Sequence, residues 1–169
     1  MAIVKPQPWK NVITLKRKTT RQENTELSLY FNNLVLYFLL KLNYTEFLKK
    51  AKGQTDSYGV KWKPLAPKTI KYKRRKRLLY SGKVAINIRT RQLMIALKPN
   101  KFSGGVYVAG PGQRVKVNTT TIYFETKVPY IDAVDQVRPV IIDDMESLVN
   151  DAVQASLPKF KAFIRSKGL

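Results

Sequence analysis

Between residues 21 and 50, apolar side chains recur at helical spacing: Leu27, Tyr30, Phe31, Leu34, Phe38 and Leu42. The stretch lacks Gly and Pro, Thr20-Arg21-Gln22-Glu23 before it matches a capping box, and Gly53 lies just past it. These features predict one long helix. Leu29, Leu36, Leu40 and Phe47 fall on its other faces, so its middle is apolar nearly all round, unlike a surface helix. Such a helix is either wrapped by a sheet of its own chain or covered by a neighbouring subunit. It is not a membrane span, because its longest apolar run, Leu34 to Leu40, is seven residues against the roughly 20 needed.

Residues 83–127 read as strands. Val84, Ile86 and Ile88 alternate with Ala85, Asn87 and Arg89, the period of a half-buried strand. Leu93 to Leu97 reads as a second strand, Val106 to Val108 as a third and Val115 to Glu125 as a fourth. Gly104-Gly105 and Gly110-Pro111-Gly112 read as hairpin turns, since no P-loop Lys-Ser or Lys-Thr follows. Short turns between strands imply an antiparallel meander.

A second helix is predicted over 139–156. It has Pro139 at its first position, Asp143, Asp144 and Glu146 early, and an apolar face of Ile141, Met145, Leu148, Ala152 and Ala155. Pro158 is expected to stop it. The remaining tail, residues 157–169, carries Phe160, Phe163 and Ile164, and reads as a short docking helix or a frayed end. At the other end, residues 1–19 form an N-terminal arm in which Val12 to Leu15 is a short strand or plain extended chain. With Pro6 and Pro8 and no apolar run, Met1 to Trp9 does not resemble a signal peptide. The whole, residues 1–169, reads as a single α+β domain: a long N-terminal helix on an antiparallel sheet of about four strands, with a C-terminal helix.

Charge changes this picture at one place. The chain has 32 Lys+Arg against 11 Asp+Glu, a net charge of +21. Residues 1–101 hold 24 of the basic and four of the acidic groups, whereas 102–169 is nearly balanced. The excess peaks in an excursion over 51–80. There Gly53, Gly59, Pro64 and Pro67 forbid a long regular element, and Thr69 to Leu79 has room for a short basic helix. Lys61, Lys63, Lys68, Lys71, Lys73, Arg74, Arg75, Lys76 and Arg77 fall within 17 residues that contain no acid. Such a run repels itself and is expected outside the core, as a solvated loop or as a surface that meets DNA phosphates or an acidic protein. Trp62, Tyr72 and Tyr80 lie among or beside these cations. They are few and irregular, which suits backbone contact better than base readout.

Catalytic chemistry finds little purchase. With no His and no Cys there is no zinc finger, no Cys nucleophile and no Ser-His-Asp triad. Without cysteines there is also no disulfide framework to argue for secretion. Ser81-Gly82 has no His to activate it. The only acidic cluster is Asp143, Asp144 and Glu146, with Asp132 and Asp135 upstream. Adjacent helical positions point apart, and the helix dipole accounts for acids there without a metal. No enzyme, metal site or cofactor is expected.

Gly59-x-x-Trp62-x-Pro64-Leu65-x-x-x-Thr69-Ile70, followed by Leu78-Leu79-Tyr80-Ser81-Gly82-x-Val84-x-x-x-Ile88, resembles the phage virion morphogenesis family, the small neck and tail-completion proteins of tailed phages. Val84 stands where the family has Leu, and Asn87 where it has Ser. Tyr130-Ile131-Asp132-Ala133 with Arg138-Pro139-Val140-Ile141 aligns with a later family segment but lacks its usual Gly and His or Gln. With the order of elements included, the likeness spans roughly residues 20–155.

The resemblance implies a structural subunit at the head–tail junction of a virion, assembled in the host cytoplasm. It implies a homo-oligomeric ring of six or twelve copies between portal or adaptor and tail-terminator or tail-tube proteins, around the DNA channel. On that reading Leu29, Leu36, Leu40 and Phe47 meet a neighbouring subunit. Trp62, Pro64, Leu65 and Thr69 anchor the excursion, whose cations face DNA or an acidic partner surface. The alternative is a non-enzymatic, sequence-independent nucleic-acid-binding protein. A membrane-surface role is disfavoured, because residues 21–50 lack a basic face.

Overall fold

In a computed structural model of the chain, the predicted capping box closes at the start of α1 (Arg21–Gly53). The structure describes residues 2–53, 61, 64–77, 79–80, 83–84, 92–128 and 145–169. The Glu23 N–H donates to Thr20 Oγ1 at 3.1 Å, and the Thr20 N–H donates to the Glu23 carboxylate at 2.8 Å. Two orphan amides of the first turn are thereby satisfied. Arg17 grips the same carboxylate, its two terminal nitrogens 2.7 and 3.1 Å away. The Arg17 hydrogen bond first, and the Thr20 amide second, hold the Glu23 carboxyl down to about 2.

The faces of α1 are covered by its own chain. Its main partner is α4 (Met145–Ser166), which runs antiparallel to it. Lys167 reaches Glu26 at 2.6 Å, Phe163 stacks on Tyr30 with ring centres 3.7 Å apart, and Phe160 meets Phe31 at 4.8 Å. On another side lie β4 (Lys101–Ser103) and β5 (Val106–Val108), a hairpin whose Tyr107 is buried beneath α1. Leu36 and Leu40 are 0% and 2% exposed within this core. Phe47, fully buried, heads a second cluster with Leu93, Leu97 and Val128. Leu36, Leu40 and Phe47 therefore do not form a face awaiting a neighbouring subunit. Of the four residues assigned to such a face, only Leu29 stays half exposed.

The C-terminal tail is also corrected. Residues 139–144 of the predicted helix lie outside the described residues; from Met145 α4 runs straight through Pro158 to Ser166. A mid-helix proline forfeits one backbone bond and costs about 3 kcal/mol. Burial of Phe160, Ile164 and Leu169 beyond it, at 0%, 5% and 6% exposure, outweighs that cost. The segment expected as a frayed or docking tail is core.

The sheet order is β1-β7-β6, antiparallel throughout, from β1 (Ala2–Val4), β6 (Gln113–Val117) and β7 (Ile122–Thr126). Ala2 pairs with Phe124, and Val117 with Ile122. The N-terminal arm is thus a structural strap: its strand is at 2–4 and not at 12–15, and it carries Trp9 into the core. The Trp9 indole N–H donates to Ser28 Oγ at 3.1 Å while the ring packs edge-on against Phe160. The predicted strand 115–125 is two strands. The Asn118 N–H donates to the Thr121 carbonyl at 2.8 Å, and Asn32 Nδ2 on α1 donates to the Asn118 carbonyl at 2.7 Å. High β-propensity of the threonines hides this turn in the sequence.

Leu93 to Leu97 lies not in a strand but in α3 (Gln92–Leu97). Leu93, Ala96 and Leu97 point inward at i, i+3 and i+4, a pattern that a short apolar run does not distinguish from a strand. Gly104 and Gly105, at φ +59° and +82°, form the two-residue turn of the β4–β5 hairpin, as expected. A Cβ at Gly105 would also meet Tyr30 Cδ2 at 2.9 Å. Two short strands, β2 (Leu79–Tyr80) and β3 (Lys83–Val84), pair antiparallel after the basic segment. The fold is α+β, with a three-stranded sheet and two hairpin ribbons among the described residues. Among the same residues no helix is long and apolar enough to cross a membrane.

Candidate functional site

The basic excursion contains the predicted short helix, α2 (Pro67–Arg75), two residues earlier than its sequence range and ending before Leu79. Pro67 opens it at a position whose amide needs no partner. Nine residues are too few for a helix to stand alone in water. Its inward side holds Thr69, Ile70 and Lys73, and its outward side Lys68, Lys71, Tyr72 and Arg75, at i, i+3, i+4 and i+7. Tyr72 is 48% exposed among these cations.

The outward stripe is chemically one-sided. Lys68, Lys71 and Arg75 span about 10 Å of helix axis, and like charges at this spacing repel by roughly 0.2–0.5 kcal/mol per pair. No acid sits in the first turn of α2 to relieve them. Among the described residues Glu23, Glu26, Glu46 and Glu125 are ion-paired with other cations, and none with this stripe. Duplex DNA offers one negative charge per about 1.7 Å of axis, so each of the three cations can meet a phosphate without the helix changing shape.

Lys73 departs from the expectation that the whole run lies outside the core. It is 3% exposed, on the same face as Ile70. Helical periodicity turns one residue in three or four inward whatever its charge. A lysine stem packs as hydrocarbon, and the last turn of a helix favours a cation. Arg77, just past the end of α2, adopts the left-handed conformation at φ +52°, with its N–H on the Arg74 carbonyl at 3.1 Å. Arg74, Lys76 and Arg77 are exposed, as is Lys61.

Of the proposed anchors, Leu65 and Thr69 are half buried and Pro64 is exposed. Trp62 and Lys63 lie outside the described residues. So do Gly59, Leu78, Ser81, Gly82, residues 85–91 and residues 129–144, which carry most of the other residues behind the resemblance, the predicted strand positions Ile86 and Ile88, and Asp132, Asp135, Asp143 and Asp144. Glu146 stands exposed in the first turn of α4. Among the described residues no group of three or more His, Cys, Asp or Glu side chains comes together as a metal site.

The structure also reveals a polar lock that the sequence did not single out. Gln113, on β6, is buried; its Nε2 donates to the Ala96 and Lys98 carbonyls at 2.8 and 2.9 Å. Its Oε1 accepts from the Tyr107 hydroxyl at 2.6 Å and from the Gly110 N–H at 2.8 Å. Burial pushes the Tyr107 phenol up from its ordinary value. Asn33, within α1, accepts from the Tyr107 N–H at 3.0 Å. These groups are structural: every polar atom named is turned to another part of the chain. The chain matches no family model, no curated protein and no solved structure.

Proposed function

We propose that the chain is a non-catalytic structural subunit of a tailed-phage virion, a neck component that joins portal or adaptor to tail around the DNA channel. Support comes from the Trp62-Pro64-Leu65-Thr69 block followed by Ser81-Gly82, and from the order of long helix, basic excursion, strands and C-terminal helix. The observation that carries most weight is α2, a helix with a continuous outward cationic stripe that, among the described residues, no acid is seen to balance. On this reading its Lys68, Lys71 and Arg75 meet DNA in the channel or an acidic surface of the portal or adaptor.

A second reading, a free-standing, sequence-independent nucleic-acid-binding protein, uses the same stripe. It is favoured by the closed core of the single chain, which already covers Leu36, Leu40 and Phe47. Negative-stain microscopy of the purified protein, alone and with its portal partner, separates the two. Closed rings of six or twelve copies are expected. Persistent monomers at high concentration that coat DNA would overturn the neck reading in favour of the second.

A further inference from the structure

The N-terminal strap builds a second cationic feature, distant in sequence from α2. A groove of about 570 Å³ runs between the strap, residues 21–32 of α1 and the β6–β7 turn. Lys10 and Arg21 line it together with Thr25, Ser28, Thr119 and Thr120. Both cations are exposed, and neither is paired with an acid among the described residues. The acids nearest in sequence are already engaged, Glu23 by Arg17 and Glu26 by Lys167. Lys5, Lys16 and Lys18, also exposed, add to the positive field of the same strap.

The walls are held in place before any ligand arrives. Trp9 is fixed by its bond to Ser28, and Lys10 extends over the indole with its Nζ 5.6 Å from the ring centre. Asn32, 4% exposed on the groove floor, ties down the Asn118 carbonyl and so positions Thr119 and Thr120. Because Trp9 is itself buried, at 4% exposure, it offers no face for a base to stack on. Pro6 and Pro8 make one apolar wall, and the exposed polar groups beside it are Lys10, Arg21, Thr25, Thr119 and Thr120, a donor set that suits phosphate contacts better than base readout.

We infer that this groove is a second nucleic-acid site, which takes the phosphodiester backbone of DNA independently of sequence through Lys10 and Arg21. It does not depend on the neck assignment, and it is separate from α2. The test is binding of a labelled random-sequence duplex of about 30 base pairs, measured across salt concentrations by fluorescence anisotropy. The K10Q/R21Q variant is expected to weaken binding roughly tenfold near 0.1 M salt and to lower the slope of log K on log[salt] by about 1.8, or 0.9 per phosphate contact. K161Q/R165Q removes the same charge from exposed positions of α4 outside the groove and is expected to change affinity less than about threefold. T25E, which adds a carboxylate to the rim without removing a cation, is expected to weaken binding as well. In the wild type, NMR amide shifts on titration with the same duplex are expected at Thr25, Ser28, Thr119 and Thr120. The proposal is overturned if K10Q/R21Q and K161Q/R165Q behave alike, or if those amides do not respond. It is equally overturned if poly-glutamate of matched charge displaces the duplex from wild type as well as unlabelled DNA does, since the groove then serves acidic polypeptide.

Discussion

The Tyr107 hydroxyl donates to Gln113 Oε1 over 2.6 Å, across a buried gap between the β4–β5 hairpin and the β6 strand. Around this one bond α3, the hairpin and the sheet are joined. Gln113 also holds two carbonyls at and just beyond the end of α3, and the Tyr107 oxygen accepts from the Asn100 N–H at 3.0 Å. Replacing Gln113 by Leu leaves the Tyr107 hydroxyl, the Gly110 amide and two carbonyls short of partners. A loss of about 3–5 kcal/mol is expected for Gln113→Leu, and about 1–2 for Tyr107→Phe, which leaves the glutamine its other bonds. Urea unfolding midpoints check both, and equal losses would refute Gln113 as the hub.

The capping box makes a pH prediction. The Glu23 carboxyl sits at about 2 in the folded chain against an ordinary 4.5, because Arg17 and the Thr20 amide favour its charged form. A depressed carboxyl contributes its full stability above about pH 4.5 and loses it as the pH falls towards 2. In Glu23→Gln this part of the pH dependence is absent, so wild type and variant should converge in stability as the pH falls from 5 towards 2. Urea midpoints over that range measure it, and a constant gap between the two would count against the Arg17–Glu23 linkage.

Phe160 lies beyond a proline, yet touches Trp9, Tyr30 and Phe31. Phe160→Ala is expected to cost about 3–5 kcal/mol, as for other fully buried aromatics. Truncation after Leu157 should abolish cooperative unfolding, because it removes Phe160, Ile164 and Leu169 together. Circular dichroism melts decide the matter: a truncated chain that still melts cooperatively would show the tail to be dispensable.

The stripe on α2 separates stability from binding. K68Q/K71Q/R75Q should unfold within about 0.5 kcal/mol of wild type, since all three residues are exposed. Its DNA affinity should fall, with the salt slope reduced by about 0.9 for each residue that meets a phosphate. Lys73→Glu should instead destabilise the fold by about 1–3 kcal/mol, because it puts the opposite charge at a buried position. Neutralising all of Lys73 to Arg77 is therefore not a pure surface change, contrary to what the charge pattern alone suggests. A folded, fully stable Lys73→Glu protein would refute this placement.

The features legible from neighbouring residues alone are local. Thr20 and Glu23 are three residues apart, so their reciprocal caps start α1 wherever the rest of the chain goes. Gly104-Gly105 makes its turn because only glycine takes two successive positive φ values cheaply, and Pro67 opens α2 because its ring suits a first helical turn. The density of cations over residues 61–77 was equally legible, but which of them share the outward face of α2 was not. Tertiary structure decided everything that depends on a distant partner. Leu93 to Leu97 became helix because α1 offered Phe47 to cover one side of it. The helix passed Pro158 because Phe160 and Ile164 had a core to enter, and that same core used up the faces of α1 that a second subunit was expected to cover. Lys73 went inside, and Lys10 and Arg21 came to line one groove, for the same physical reason. A residue's environment is set by which elements close over it, and those elements lie tens of residues away in the chain.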